Sequence, residues 1–296
     1  MDRRSFDYML IGAQKCATSW LYYCFRDHPE ICVPTKKLEK GYIGGNMFEE
    51  MGEDWFFDRF HPSDNQRVGD ISVEYLWDEN AAAAMKPFAS DAKFIISLRH
   101  PVDRTVSGYF WLLRKGDIEN RPLEDGLGPI LDAQPGFSEP IEGPLGQAVG
   151  RSLYGPQIQR FIDLYGAERI KVVLYEQIAA AGLQQVQDLY SYLGVRSDFR
   201  PPSLGSAPKR NSYNNWLLAI ESSTKSKAVA KLCNYAHQAL TTVSSRKDIV
   251  PAVMRSQLNA LFEPAVAETL DVLRQLPADQ RPSDDALSAH WMQGRH

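Results

Sequence analysis

The segment YMLIGAQKCATSW, Tyr8 to Trp20, runs from apolar residues through a glycine to a lysine, small residues and two hydroxyls. A tight turn between a strand and a helix aims backbone N–H groups at one point. The first turn of the helix adds partial positive charge there. Lys15 would add a full charge, so the chemistry on offer is capture of an anion. The order differs from the nucleotide motif G-x-x-x-x-G-K-[ST], in which lysine directly precedes the hydroxyl. Here Lys15 stands three residues before Thr18, and Ala17 replaces the second glycine. A plain strand–helix turn with a surface lysine fits this stretch equally well on its own. A second stretch, SLRHPVDRTVSGYF, sets Arg99 at the carboxyl end of an apolar run, where open α/β sheets bind ligands. Ser107 follows about two helical turns later. A guanidinium fork suits a phosphate, and a hydroxyl adds one more bond. Taken alone, an Arg99–Asp103 pair and a solvated serine is the better reading of this stretch.

The elements that must position these groups repeat a pattern. FDYMLIG reads as a buried strand, and TSWLYYCFRDHPEI as a helix capped by Thr18 or Ser19 and ended by HPE. KFIISLRHP contains a second strand, Lys93 to Leu98. Pro101 then opens a helix that Gly116 stops. RIKVVLYEQI holds a third strand around Ile170 to Tyr175, and GLQQVQDLYSYLGV a further helix. Strand–loop–helix units in series predict an α/β domain with a parallel sheet. The stretch between Lys115 and Gly150 is rich in Gly, Pro and acids and reads as a long loop of the functional or mobile kind. FRPPSLGSAPKRNSYNN reads as a second long loop, and the chain beyond Trp216 as mainly helical.

The totals exclude several classes. The chain has 296 residues, of which 44% are hydrophobic and 24% charged, which supports a large core and argues against wholesale disorder. A net charge of −4 argues against a general nucleic-acid binder, while leaving room for a small anionic ligand in a local pocket. Cys16, Cys24, Cys32 and Cys233 form no C-x-x-C pair and read as free thiols in a reducing compartment. None of the six histidines forms an H-x-x-H or H-x-x-x-H pair, so no metal spacing is present. The N-terminal apolar run is too short for a signal or a membrane span. A soluble cytoplasmic protein, independent of membrane and nucleic acid, is the expectation.

Together the two phosphate-suited motifs resemble the sulfotransferase family, whose donor is 3′-phosphoadenosine-5′-phosphosulfate (PAPS) and whose product from it is 3′-phosphoadenosine-5′-phosphate (PAP). GAQKCATSWLYYCFRDHPEI followed by LRHPVDRTVSGYF is most similar to the carbohydrate branch, which includes heparan sulfate enzymes and bacterial relatives. SLYGPQIQRFIDLYGAERIKVVLYEQI, PSLGSAPKRNSYN and LFEPAVAETLDVL extend the resemblance over most of the chain. It implies a P-loop-like three-layer α/β fold, a central parallel sheet flanked by helices, in a single domain over residues 1–296. Residues 116–150 would be an acceptor-side insert and 217–296 a mainly helical C-terminal part. By position, Lys15, Ala17, Thr18, Ser19 and Trp20 would surround the 5′-phosphosulfate. Arg99 and Ser107 would hold the 3′-phosphate, and Lys209 and Arg210 would come from a closing loop. No metal would be obligatory, because lysine and arginine neutralise the donor.

The general base is read from two acceptor-side segments. In VPTKKLEKGYIGG, Glu39 keeps the family's spacing to an aromatic, Tyr42, but Leu38 stands where lysine precedes it in the family. Glu39 is the first candidate, with Lys36, Lys37 or Lys40 as acceptor contacts. In GDISVEYLW, Asp70 and Ser72 match the family, whereas Ile71 replaces a lysine and Val73 a proline. Asp70 or Glu74 is the alternative base, and His28 and His61 are lesser ones. The acceptor is expected to be a carbohydrate or a small-molecule natural product, met by residues 42–57, including Trp55, Phe56 and Phe57, by Trp77 and by the insert. Two rival readings stand: a P-loop kinase, which needs a Gly-Lys-Ser/Thr triplet absent from the opening loop, and a noncatalytic nucleotide binder.

Overall fold

A computed structural model of the chain describes residues 4–36, 41–119, 121–205 and 250–292. Among the described residues, five parallel strands form one sheet: β1 (Tyr8–Gly12), β2 (Ile31–Cys32), β3 (Arg67–Ile71), β4 (Lys93–Leu98) and β5 (Ile170–Leu174). Their order across the sheet is β2-β3-β1-β4-β5. Strands β1, β4 and β5 occupy the segments the apolar runs predict. The two-residue β2 and the strand β3 were not expected. β2 is too short to show a period, and the apolar character of β3 is interrupted by Gly69 and Asp70.

The strands are buried on both faces, as parallel sheets are, and each residue's face follows from the two-residue period. Met9, Ile11, Phe94, Ile96, Leu98, Val172 and Leu174 join one apolar cluster, while Tyr8, Leu10, Ile71, Ile95 and Val173 join the other. The second cluster is completed by α1 (Thr18–Asp27) and by a helix described below, through Leu21, Phe25, Val186 and Leu189. On the other face lie α2 (Asn46–Phe57), α3 (Glu74–Trp77) and the short turns α4 (Ala81–Ala84) and α5 (Lys86–Ala89).

The chain then divides between two compact units. The first holds the sheet and comprises residues 1–100, 153–208 and 266–296. The second comprises residues 101–152 and 209–265. Its described part opens with α6 (Pro101–Lys115), started by Pro101 and stopped by Gly116 as expected. The stretch expected to be a long loop instead contains α7 (Leu123–Leu131) and α8 (Gly143–Gly150). Tertiary contacts override the poor helix propensity of its glycines and prolines. Within this unit the fully buried Arg104 donates to the Ala148 carbonyl and, at 3.2 Å, to Ser152 Oγ.

Back in the first unit, α9 (Tyr154–Tyr165) leads to β5, and α10 (Tyr175–Leu193) starts directly on the last strand residue, earlier than expected. It is broken at Ala181 and closed by Gly194. The C-terminal helices are α11 (Ala252–Leu273), which supplies residues to both units, and α12 (Asp284–Trp291). Cys16, Cys24 and Cys32 are buried, the latter two as free thiols, and Cys233 lies outside the described residues. Burial and then the nearby Asp27 push the Cys24 thiol up to about 12, so it is inert at neutral pH.

Gly69 of β3 tests the packing of the two central strands. A β-carbon there would lie 2.4 Å from the ring of Tyr8, which is fully buried. Gly69→Ala is expected to destabilise the fold by about 1–3 kcal/mol, measured by urea denaturation. A change within error would mean that the Tyr8 ring has room to move.

Candidate anion-binding site at the end of β1

Gly12 ends β1 where a side chain would not fit, since a β-carbon would lie 2.9 Å from Leu76 Cβ. The chain then turns through residues 13–17. Ala13 N–H donates to the Ser97 carbonyl at 2.8 Å, and Ser97 Oγ donates to the Cys16 carbonyl at 2.5 Å. The turn is therefore fastened to the end of β4, its neighbour in the sheet. Lys15 and Ala17 lie on either side of Cys16 and have φ of 71° and 66°. Both are left-handed, and successive N–H groups in such a turn face one concavity suited to an anion.

Ala17, not Thr18 or Ser19, is the N-cap of α1. Its carbonyl accepts from Trp20 N at 2.9 Å and Leu21 N at 3.1 Å, and no side chain caps the helix. The physical reason is the left-handed Ala17, which starts the helix one residue before the hydroxyls. Thr18 is consequently buried in the first turn, and Ser19 is exposed. Lys15 is half-buried on the turn. Trp20 is buried against the position of Gly182, and its Nε1 has no hydrogen-bond partner among the described residues.

Arg99 leaves the end of β4, half-buried. Its guanidinium lies over the Tyr175 ring, 4.5 Å from the centroid. Its Nε is buried with no hydrogen-bond partner among the described residues. A donor left over in this way suits a strongly accepting oxyanion. The next peptide N–H, from His100, donates to Glu176 Oε1 at 3.0 Å. Ser107 is buried on α6, in the second unit. Lys209 and Arg210 lie outside the described residues, as do Glu39, Lys37 and Lys40; Lys36 is exposed.

The two described carboxylate candidates differ in surroundings. Asp70, on β3, is 2% exposed and accepts a hydrogen bond from Tyr75 Oη at 2.6 Å. Tyr75 in turn accepts from the Ile43 N–H at 3.2 Å. Burial first, and then the Asp70 charge, push the Tyr75 phenol well above its ordinary value, so it serves Asp70 as a neutral donor. Glu74 begins α3 and is half-buried, with its N–H 3.3 Å from Ser72 Oγ. His28 caps the C-terminus of α1. Its Nδ1 accepts from Glu30 N at 3.1 Å and its Nε2 meets the Arg196 carbonyl at 2.9 Å, a structural arrangement. His61 is exposed. Of the expected cleft aromatics, Phe56 is fully buried in the core and Trp55 and Phe57 pack against it, while Trp77 is half-buried. Among the described residues, no group of three or more His, Cys, Asp or Glu is placed to hold a metal ion, and no helix is long and apolar enough to cross a membrane.

Three residues at the candidate site were not singled out by their spacing: Ser97, Tyr175 and Tyr154, whose hydroxyl donates to the Arg99 carbonyl at 3.0 Å. Leu98 of β4 aligns with Leu174 of β5, so the residues just after the two apolar runs, Arg99 and Tyr175, must be neighbours.

Comparison with known proteins agrees with this architecture. No family model matches the chain. Over 126 residues it is 31% identical to the membrane-associated sulfotransferase kil1 of Dictyostelium discoideum, a match over 40% of this chain and 26% of that protein. The chain thus spans about a quarter of that relative's length. A sulfotransferase from Alicyclobacillus acidocaldarius superposes with a TM-score of 0.61 at 24% identity, covering 91% of this chain and 96% of that one. Mouse sulfotransferase SULT7A1, solved with PAP, superposes with a TM-score of 0.51 at 14% identity, covering 89% and 84%. The fold is that of the sulfotransferases, and part of the sequence is related to one of them.

The left-handed Ala17 generates a prediction of its own. An L-residue with a β-carbon carries a cost of about 1–2 kcal/mol in that conformation, partly offset by the greater freedom of an unfolded glycine. Ala17→Gly is therefore expected to raise stability by about 0.5–1 kcal/mol in denaturant melts. A loss of that size would place Ala17 in an ordinary helical conformation.

Proposed function

We propose that this chain, which has the sulfotransferase fold and sequence kinship with a sulfotransferase, moves a sulfuryl group from PAPS to an acceptor hydroxyl. The observation that carries the reading is the pairing, within one unit, of two cationic features at neighbouring strand ends. One is the Lys15 turn after β1, with its left-handed residues, and the other is Arg99 after β4, with its unpartnered Nε. Two anion sites at fixed spacing suit a nucleotide with phosphates at both its 5′ and 3′ positions. The turn amides, with Lys15, Ala17, Thr18, Ser19 and Trp20, would hold the 5′ end. Arg99 and Ser107 would hold the 3′-phosphate, joined by Lys209 and Arg210.

In the reaction, the acceptor oxygen bonds to sulfur as the bond from sulfur to the bridging phosphate oxygen breaks, and PAP leaves. The hydroxyl proton passes to a carboxylate. Lys15 and the turn N–H groups stabilise the charge that gathers on the leaving oxygen. Glu39 is the proposed base. Of the described carboxylates, Glu74 has the exposure to receive a proton that Asp70 lacks. The acceptor is a carbohydrate or a small natural product. Buried free thiols favour a reducing compartment such as the cytoplasm.

Calorimetry with PAP, ADP and 5′-AMP, with and without Mg²⁺, tests the donor. PAP is expected to bind most tightly without Mg²⁺, and Arg99→Ala to remove at least about tenfold of that affinity. Preference for ADP with Mg²⁺ would instead identify a phosphotransferase. With a turned-over acceptor in hand, Glu39→Gln is expected to lower kcat by about 10²–10⁴. Full activity in Glu39→Gln together with such a loss in Glu74→Gln would move the base to Glu74.

A further inference from the structure

Tyr154 begins α9, and its side chain is fully buried. Its hydroxyl donates to the Arg99 carbonyl at 3.0 Å. The same oxygen lies 3.9 Å from Sγ of Cys16, in the middle of the turn that carries Lys15. One phenol thus touches both anion-binding features, the turn after β1 and the residue after β4. The ring is held in turn by Trp291 of α12, with centroids 6.1 Å apart, and Trp291 also meets the His100 ring edge-on at 6.3 Å. Arg99 is otherwise clamped through its neighbours, by the Tyr175 ring under its guanidinium and by Glu176 on the following N–H.

From this arrangement we infer that Tyr154 is a positioning residue that sets the distance between the Lys15 turn and Arg99, and so selects nucleotides carrying both a 5′- and a 3′-phosphate over those with the 5′-phosphate alone. The inference rests on the PAPS reading given above. Physically, the phenol is a rigid spacer between two backbone segments. Without its hydroxyl the Arg99 carbonyl loses a buried donor, and the gap to Cys16 is left for the turn to relax into. A ligand held at one end only would feel little of this. One that must satisfy both ends would lose registry.

The experiment compares two dissociation constants, for PAP and for 5′-AMP, in the wild type and in Tyr154→Phe. Their ratio reports the worth of the 3′-phosphate. Tyr154→Phe is expected to lower that ratio by roughly two- to tenfold through weaker PAP binding, with 5′-AMP affinity unchanged within about twofold. Tyr165→Phe is the control for a merely structural loss. It lies on the same helix, and its buried hydroxyl likewise donates to a backbone carbonyl, that of Ala82 at 2.7 Å, away from the turn. It should lower thermal stability and keep the ratio. If Tyr154→Phe does not fold, Cys16→Ala removes the other side of the contact and should lower the ratio in the same direction. A large wild-type ratio that survives in Tyr154→Phe, or in Cys16→Ala where that variant must substitute, overturns the spacing role alone. A wild-type ratio near one overturns the donor reading and this inference with it.

Discussion

The hydrogen bonds between Ser97 and the turn after β1 are the constraint on which the candidate site depends. A backbone carbonyl and a side-chain hydroxyl of one residue at the end of β4 hold Ala13 and Cys16. Between them the chain has few conformations left, and it reverses hand at Lys15 and Ala17 to enter α1. The strain of two left-handed L-residues is tolerated because the surroundings over-determine them: Cys16 is fully buried, and Trp20 and Leu21 anchor the helix that follows. A turn held this rigidly has its N–H groups oriented before any anion arrives, which lowers the reorganisation that binding or catalysis would require.

The parallel sheet makes this local arrangement useful. Because β1, β4 and β5 run in the same direction, their carboxyl ends bring together the Lys15 turn, Arg99 and Tyr175 from distant parts of the sequence. Hydroxyl and ring contacts then complete the assembly. Polar groups that are buried without a partner, Arg99 Nε and Trp20 Nε1, lie in this same region, where a ligand could satisfy them. Asp70 has a different character. Enclosed and hydrogen-bonded by a neutral Tyr75, it is linked through that phenol to the Ile43 N–H.

Local pattern carried much of the fold. The apolar runs at Tyr8–Gly12, Lys93–Leu98 and Ile170–Leu174 are strands because β-branched and aromatic residues buried on both faces leave an unmistakable signal. Pro101 and Gly116 bound α6 because proline suits a first turn and glycine a left-handed stop. The pattern failed where tertiary contacts outweighed it. The Gly- and Pro-rich stretch from 116 to 150 contains two helices, and β2 is too short to leave a periodic trace.

For the site, residue types and spacing raised the lysine turn and Arg99 as candidates, each beside an equal or better plain reading, and the resemblance to the sulfotransferases joined them. They also flagged Ala17 as an unusual choice in a turn that favours glycine. Only the tertiary structure decided how Ala17 is accommodated, by taking the left-handed conformation itself and displacing the helix cap from Thr18 or Ser19. Only it revealed the hydroxyls of Ser97 and Tyr154 and the ring of Tyr175 as the groups that hold the Lys15 turn and Arg99. Their contacts join residues 16 with 97, 99 with 154, and 99 with 175, separations at which no local pattern operates and only the register of the sheet and the packing of its helices determine who meets whom.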